Sequence, residues 1–177
     1  MINFPSTYYG LIFRLVEESD AAFILGLRTD PKLSRYLSPT GGELTAQTEW
    51  IRAYKTREAL GREYYFLYAD AAGKPLGVFR LYDITGKTVT SGSWLASPGN
   101  DEFASIKADL FLSKLIFEDL LFDKCLIDVR KANQKMVRYH RLFFKIIRED
   151  EQDIYMYMDK DDYLRKYQYL TSILNPK

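Results

Sequence analysis

Residues Lys124 to Phe144 read KCLIDVRKANQKMVRYHRLFF, a stretch that passes from a strand straight into an amphipathic helix. Cys125 to Val129 is a short apolar run with β-branched Ile127 and Val129, broken only by Asp128, as expected of an interior strand. After the connector Arg130 to Ala132, Asn133 has the side-chain oxygen that an N-cap needs to accept a bond from an orphan first-turn N–H. Asn133, Met136, Val137, His140 and Phe144 follow at spacings of three and four residues, which predicts a shared helix face. A polar cap and a lone histidine therefore look out on one side, about two turns apart.

Upstream, Leu11 to Val16 is a β-type run, and Ser19 is expected to cap a helix from Asp20 to Arg28, with the Asp20 carboxylate in the positive first turn. Pro31 disfavours helical geometry at Asp30 and turns the chain. Lys32 to Thr40 reads as a short irregular or helical segment, and Gly41-Gly42 as a hinge before Thr45 caps a second helix to about Leu60. Glu63 to Ala69 and Leu76 to Ile84 flank the turn-forming Asp70 to Pro75, which predicts an antiparallel hairpin. Thr85-Gly86-Lys87 leads into a third strand, Thr88 to Ala96, which Ser97-Pro98-Gly99-Asn100 breaks before a strongly apolar helix from about Glu102 to Leu121. Beyond His140, Ile146 to Glu149 and Ile154 to Asp159 read as strands around an acidic turn, and Tyr163 to Leu174 as a terminal helix. The order β, α, α, β, β, β, α, β, α, β, with a further strand, predicts a mixed α/β (α+β) fold with an antiparallel front half, one domain over residues 1–177.

Composition excludes several classes. Lys+Arg 25 stand against Asp+Glu 24 with no long basic block, so neither nucleic acid nor an anionic membrane is an expected partner. Tyr 14 and Phe 11 favour a packed interior over a coiled coil or a disordered chain. Cys125 is the only cysteine, which rules out a disulfide within the chain and predicts a buried, inert thiol. His140 is the only histidine, so no histidine-built metal site and no zinc spacing exist, and no metal is implied. The opening MINFPSTYYGLIFRL has no basic start before an apolar core, and no run approaches the roughly 20 apolar residues that span a bilayer, so a cytoplasmic protein is expected. A nucleophile elbow, a P-loop and a dinucleotide fingerprint are absent from the sequence.

The stretch from Lys124 to Phe144 resembles the C-terminal half of the GNAT acyltransferases, which transfer an acyl group from coenzyme A to an amine. In that family a strand ends in a splay, an asparagine opens the next helix, and a tyrosine or histidine follows seven residues later, the spacing of Asn133 and His140. The family helix closes with Gly-Phe or Gly-Ala, where this chain has Phe144 and Lys145. Val129-Arg130-Lys131-Ala132-Asn133 with Tyr139-His140 looks, more narrowly, like the subgroup found with bacterial surface-sugar biosynthesis. The element order matches the family fold over nearly the whole chain. A mostly antiparallel sheet splayed between its fourth and fifth strands is thereby implied.

What the resemblance implies for chemistry is an acetyl-CoA-dependent N-acetyltransferase acting by direct attack of a primary amine on the thioester. The acceptor it points to is a nucleotide-linked amino sugar. A protein N-terminus, a polyamine or an antibiotic amine stays open as acceptor, as does a non-catalytic binding or assembly module, acting as monomer or homodimer. The family's phosphate loop, Gln/Arg-x-x-Gly-x-Gly/Ala, corresponds to SPGNDEFAS from Ser97 to Ser105, which keeps Gly99 but carries Asp101 and Glu102 where two phosphates would sit. By position, coenzyme A would meet Trp94, Leu95, Ala96, Gly99, Asn100, Phe103, Ala104, Ser105, Asn133 and Met136, with backbone groups from Ser93 to Ala96 polarising the thioester oxygen. His140 would hydrogen-bond or protonate the leaving sulfur, as an imidazole near neutral pKa can. Asp83 is the candidate base or amine anchor, and Tyr36, Arg80 and Tyr82, beside Arg35, would line the acceptor side by stacking and charge-assisted bonds.

Overall fold

Two-residue alternation along the strands decides which side chains enter which of two cores. The computed structural model describes residues 4–175. Its strands are β1 (Ser6–Tyr8), β2 (Leu11–Leu15), β3 (Tyr64–Ala69), β4 (Pro75–Thr85), β5 (Thr88–Ala96), β6 (Lys124–Arg130), β7 (Lys145–Glu149) and β8 (Asp153–Asp159). Its helices are α1 (Ala21–Thr29), α2 (Leu44–Ala59), α3 (Glu102–Lys114), α4 (Gln134–His140) and α5 (Lys160–Leu174). The strands form one eight-stranded sheet in the order β1-β2-β3-β4-β5-β6-β8-β7, antiparallel throughout except for the parallel pair β5 and β6.

On β3, Phe66 and Tyr68 face the core built with α3, α4 and α5, while Tyr65, Leu67 and Ala69 face the core built with α1 and α2. β6 contributes Cys125, Ile127 and Val129 to the first core, which puts Asp128 on the opposite side of the sheet. Cys125 is buried, and burial pushes its thiol up to about 11, which keeps it an unreactive thiol at neutral pH.

Several expected boundaries shift for identifiable reasons. Ser19 does not cap α1. It lies in a 3-10 turn, Glu18–Asp20, and the Asp20 carboxylate, held by Arg14 at 2.7 Å, reaches back to accept from Glu17 N at 2.8 Å. Thr45 falls one residue inside α2, whose cap position is Glu43. The apolar helix from Glu102 ends its α-helical part at Lys114 and widens into a π-helical turn over Leu115–Asp119. α4 stops at His140 instead of running to Phe144, because Phe143 and Phe144 are both drawn into the core. α5 starts earlier than expected, at Lys160, where the Asp159 carboxylate accepts from Asp162 N at 3.1 Å. The short strand β1 was not foreseen; it pairs with β2 through the Tyr9-Gly10 turn, and counting it makes the splayed strands β5 and β6.

Candidate active site

The two parallel strands at the centre of the sheet part company almost at once. β5 and β6 are in register only over Thr88–Thr90 against Lys124–Leu126, after which β5 continues beside β4 alone and β6 beside β8 alone. The cause lies in β5. Val78 pairs with Leu95 and Arg80 with Gly92, so Phe79 alone opposes both Ser93 and Trp94, a bulge in which Ser93 takes a φ of 53°. Bulges bend and twist the strand that carries them, here away from β6, and a left-handed serine stores backbone strain at that point. The result is a cleft whose β5 wall, Ser91 to Ala96, faces β6 with backbone that no strand pairs. Such an edge can pair with an amide-bearing chain, so its chemistry fits the pantetheine arm of an acyl-CoA.

Around the cleft, the expected donor-side residues take distinct places. Trp94 is half-buried and stacks on Phe79 at 5.1 Å, Leu95 is buried in the core under α1 and α2, and Ala96 pairs with Gly77. The loop after β5 is pinned to the start of β4, since Ser97 N and Asn100 Nδ2 both donate to the Leu76 carbonyl, at 2.8 and 2.7 Å. Gly99 is exposed with a φ of 78° and open space around it. Asp101 caps α3 by accepting from Phe103 N at 3.0 Å, so this carboxylate already occupies a donor that a phosphate would use; the Glu102 side chain lies outside the described residues. Phe103 is exposed, Ala104 buried and Ser105 half-buried. Asn133 caps α4, accepting from Met136 N at 3.4 Å, and Met136 packs against the core.

His140 closes α4 against the aromatic core, its ring 5.3 Å from that of Phe144, and its Nδ1 is buried without a hydrogen-bond partner. Burial lowers its pKa to about 4, so the imidazole is neutral at neutral pH. Behind it, Tyr139 Oη donates to one oxygen of Asp109, and the buried Lys166 Nζ reaches the other at 2.7 Å. That cluster ties α3, α4 and α5 together.

The opposite face of the sheet carries the acceptor-side candidates. Arg80 donates to the buried Glu63 at 2.8 Å and to Ser93 Oγ at 3.4 Å, linking this face to the bulge. Its guanidinium lies over Trp50 at 4.9 Å and over Tyr82 at 5.1 Å. Arg28, Gln47, Trp50, Tyr65 and Arg80 line a cavity of about 240 Å³. A second, wider cleft of about 550 Å³ lies between Arg35 and Tyr36, the Arg130–Ala132 connector and the Glu151–Gln152 turn. The Tyr82 phenol lies over Gly92, beside the bulge. Asp83 is exposed at a second bulge, with a φ of 49°, nearer the Gly86 turn. Sequence reading passed over Trp50, Arg28, Glu63 and Asp128. Only Asp128 had a local signal, as the one charge inside an apolar run.

Among the described residues, no group of three or more His, Cys, Asp or Glu side chains is placed to hold a metal, and no helix is long and apolar enough to cross a membrane. The profile of the acetyltransferase (GNAT) domain family matches residues 10–143. Among solved structures, apo FdhC, a nucleotide-linked sugar GNAT, is 34% identical with a TM-score of 0.86, covering 98% of this chain and 100% of its own. Spermidine N-acetyltransferase from Vibrio cholerae, in complex with CoA and spermine, is 22% identical with a TM-score of 0.72, over 88% of this chain and 98% of its own. Ribosomal-protein-S5-alanine acetyltransferase from Vibrio fischeri is 15% identical with a TM-score of 0.75, over 91% and 99%. The latter two share the fold. Comparison with curated proteins returns no match.

Proposed function

This chain belongs to the GNAT acetyltransferase family, and from that premise we propose that it moves an acetyl group from acetyl-CoA to the primary amine of a nucleotide-linked amino sugar. The donor thioester supplies an activated acyl carbon when it is bound in the cleft between β5 and β6. Ser91 to Ala96 hold its arm through backbone groups, with Gly99, Asn100, Phe103, Ala104 and Ser105 at the phosphate end and Asn133 and Met136 at the opposite wall. The strained backbone at Ser93 aims an N–H toward the thioester oxygen, and His140 gives a hydrogen bond to the departing sulfur.

One observation carries the choice of acceptor. The cavity beside the bulge joins two guanidiniums, Arg28 and the Glu63-held Arg80, to the rings of Trp50 and Tyr65, and a second cleft sets Arg35 and Tyr36 opposite Arg130 and Lys131, which Asp153 and Glu149 hold at 3.0 and 3.1 Å. Guanidiniums for a diphosphate and aromatic faces for a base or sugar suit such an acceptor. The 34% identity to a nucleotide-linked sugar GNAT supports the same choice. In this reading Tyr36, Arg80 and Tyr82 contact the acceptor, Asp83 adds negative charge for its amine, and residues 1–177 act as one acyltransferase domain. The protein works in the cytoplasm as a monomer or homodimer, without a metal, nucleic acid or membrane. Acetyl-CoA consumption measured across nucleotide-linked amino sugars, peptides and polyamines tests it: turnover is expected with the amino sugars, and turnover with peptides alone overturns the acceptor.

A further inference from the structure

A direct attack needs a free amine, and at neutral pH the acceptor amine arrives largely as an ammonium. Some group at the parting point of the two strands must take its proton. The last paired residues there are Thr90 and Leu126, and two positions further along each strand, past the parting point, come Gly92 of β5 and Asp128 of β6. Alternation along β6 sends Cys125, Ile127 and Val129 into the helical core, so the Asp128 carboxylate emerges on the face that carries Arg80 and Tyr82. Tyr82 covers Gly92 so closely that a methyl group on that glycine would stand 2.7 Å from its Oη. The phenol thus lies next to the Ser93 bulge and within electrostatic reach of the Asp128 carboxylate on the same face of the sheet.

We propose that Asp128 is the catalytic base of the transfer, a role that rests on the acetyltransferase reading above. The acceptor ammonium gives one proton to the Asp128 carboxylate, and the freed nitrogen lone pair bonds to the thioester carbonyl carbon. As the carbon–sulfur bond breaks, its electron pair leaves on sulfur; the second proton of the new amide nitrogen goes to solvent, and the Asp128 proton is returned to the thiolate through solvent.

The surroundings suit the role. Among the described residues Asp128 forms no ion pair; of the two cations on its strand, Arg130 is committed to Asp153 at 3.0 Å, and Lys124 lies four residues back over the Tyr157 ring. Facing it are Asp153 and its register partner Tyr155 from β8, and Asp83 and Tyr82 from β4. Asp128 is exposed to the cleft, where desolvation by the surrounding walls, and then Asp153, raise its carboxyl above the usual carboxylate range, with Arg130 opposing. A base moved toward neutrality takes a proton from an ammonium more readily than an ordinary carboxylate does. The same acids draw a cationic amine to this spot in a site otherwise lined by arginines.

The test is the pH profile of kcat/KM for wild type, Asp128→Asn, Asp128→Glu and Asp83→Asn, with acetyl-CoA and the best amine from the acceptor panel. Asp128→Asn should lose about 100-fold or more at pH 6.5. The deficit should shrink as pH rises and the free amine becomes abundant, a change that a structural lesion does not produce. Asp128→Glu should recover part of the rate, Asp83→Asn should lose far less, and melting temperature and acetyl-CoA affinity should not move in Asp128→Asn. A wild-type profile in Asp128→Asn, a loss independent of pH, or the main loss appearing in Asp83→Asn overturns the assignment alone. A wild-type protein that acetylates no amine overturns the function and the base together.

Discussion

Replacing Asp109 with asparagine should cost more stability than its partly buried position suggests. Lys166 is only 1% exposed, and its ammonium lies 2.7 Å from Asp109 Oδ1, between the rings of Phe143 and Phe144 at 5.8 and 5.7 Å. Asparagine keeps the shape and still accepts from Tyr139, but it leaves the ammonium without a counter-charge. Breaking a buried pair in this way costs about 3–5 kcal/mol, and since Asp109 keeps 15% of its side chain exposed, the lower end applies. In a chain of this length each kcal/mol moves the melting temperature by about 2–4 °C, so a fall of roughly 6–12 °C is expected. Urea unfolding followed by far-UV circular dichroism and by tryptophan fluorescence measures it. The double variant Asp109→Asn with Lys166→Met removes both charges, keeps the acceptor for Tyr139 and should come back to within about 1 kcal/mol of wild type. Because the cluster anchors α4, and α4 carries Asn133, the single variant should also bind acetyl-CoA more weakly. An Asp109→Asn protein within about 1 kcal/mol of wild type, or a double variant no better than the single, refutes the reasoning.

Other consequences follow from the same contacts. His140 has its pKa lowered by burial to about 4 against an ordinary 6.5, so the unfolded chain binds the proton first; its contribution is complete above pH 6.5 and is lost as pH falls toward 4, by roughly 3 kcal/mol in all. In His140→Phe that part of the pH dependence should vanish, and identical slopes in the two proteins would refute the burial argument. Glu63→Gln weakens the bonds to Arg57 at 2.6 Å and to Arg80 at 2.8 Å, so stability should drop by about 1.5–3 kcal/mol and the KM for a nucleotide-linked acceptor should rise tenfold or more while that for acetyl-CoA holds. Gly77→Ala should destabilise by about 2 kcal/mol or more, since its Cβ would meet the Leu95 carbonyl and the Tyr68 hydroxyl at 2.4 Å. Gly26→Ala, in α1 with open space around it, should stabilise by about 0.5–1 kcal/mol, and opposite signs in thermal melts would contradict both assignments.

The junction of β6 and α4 was legible because its signals are local. Alternation marked Cys125, Ile127 and Val129 as core, and Asn133 carried its own capping chemistry. Where tertiary contacts intervene, the local signal failed: Ser19 does not cap α1, because the Asp20 carboxylate, fixed by Arg14 on β2 and accepting from Glu17 N, folds the chain ahead of the helix into a 3-10 turn. Nothing in the apolar sequence after Lys114 announces a π-helical turn, and a three-residue strand such as β1 is too short to show a period. The bulge that opens the cleft was equally hidden, since it places an ordinary serine, Ser93, where glycine is the expected residue. The cavity beside the bulge draws Arg28, Trp50, Tyr65 and Arg80 from four separate elements, so no spacing in the chain brings them together. Asp128 was the exception: its lone charge in an apolar run was visible, and its meaning came only with the knowledge of which face it leaves by.

The most direct measurement is mass spectrometry of the products after incubation with acetyl-CoA and an equimolar mixture of a nucleotide-linked amino sugar, spermidine and an alanine-starting peptide. One acetyl group should appear on the amino sugar, with free coenzyme A formed in equal amount, and the other two amines should stay unmodified. Acetyl transfer to spermidine or the peptide with the amino sugar untouched contradicts the account.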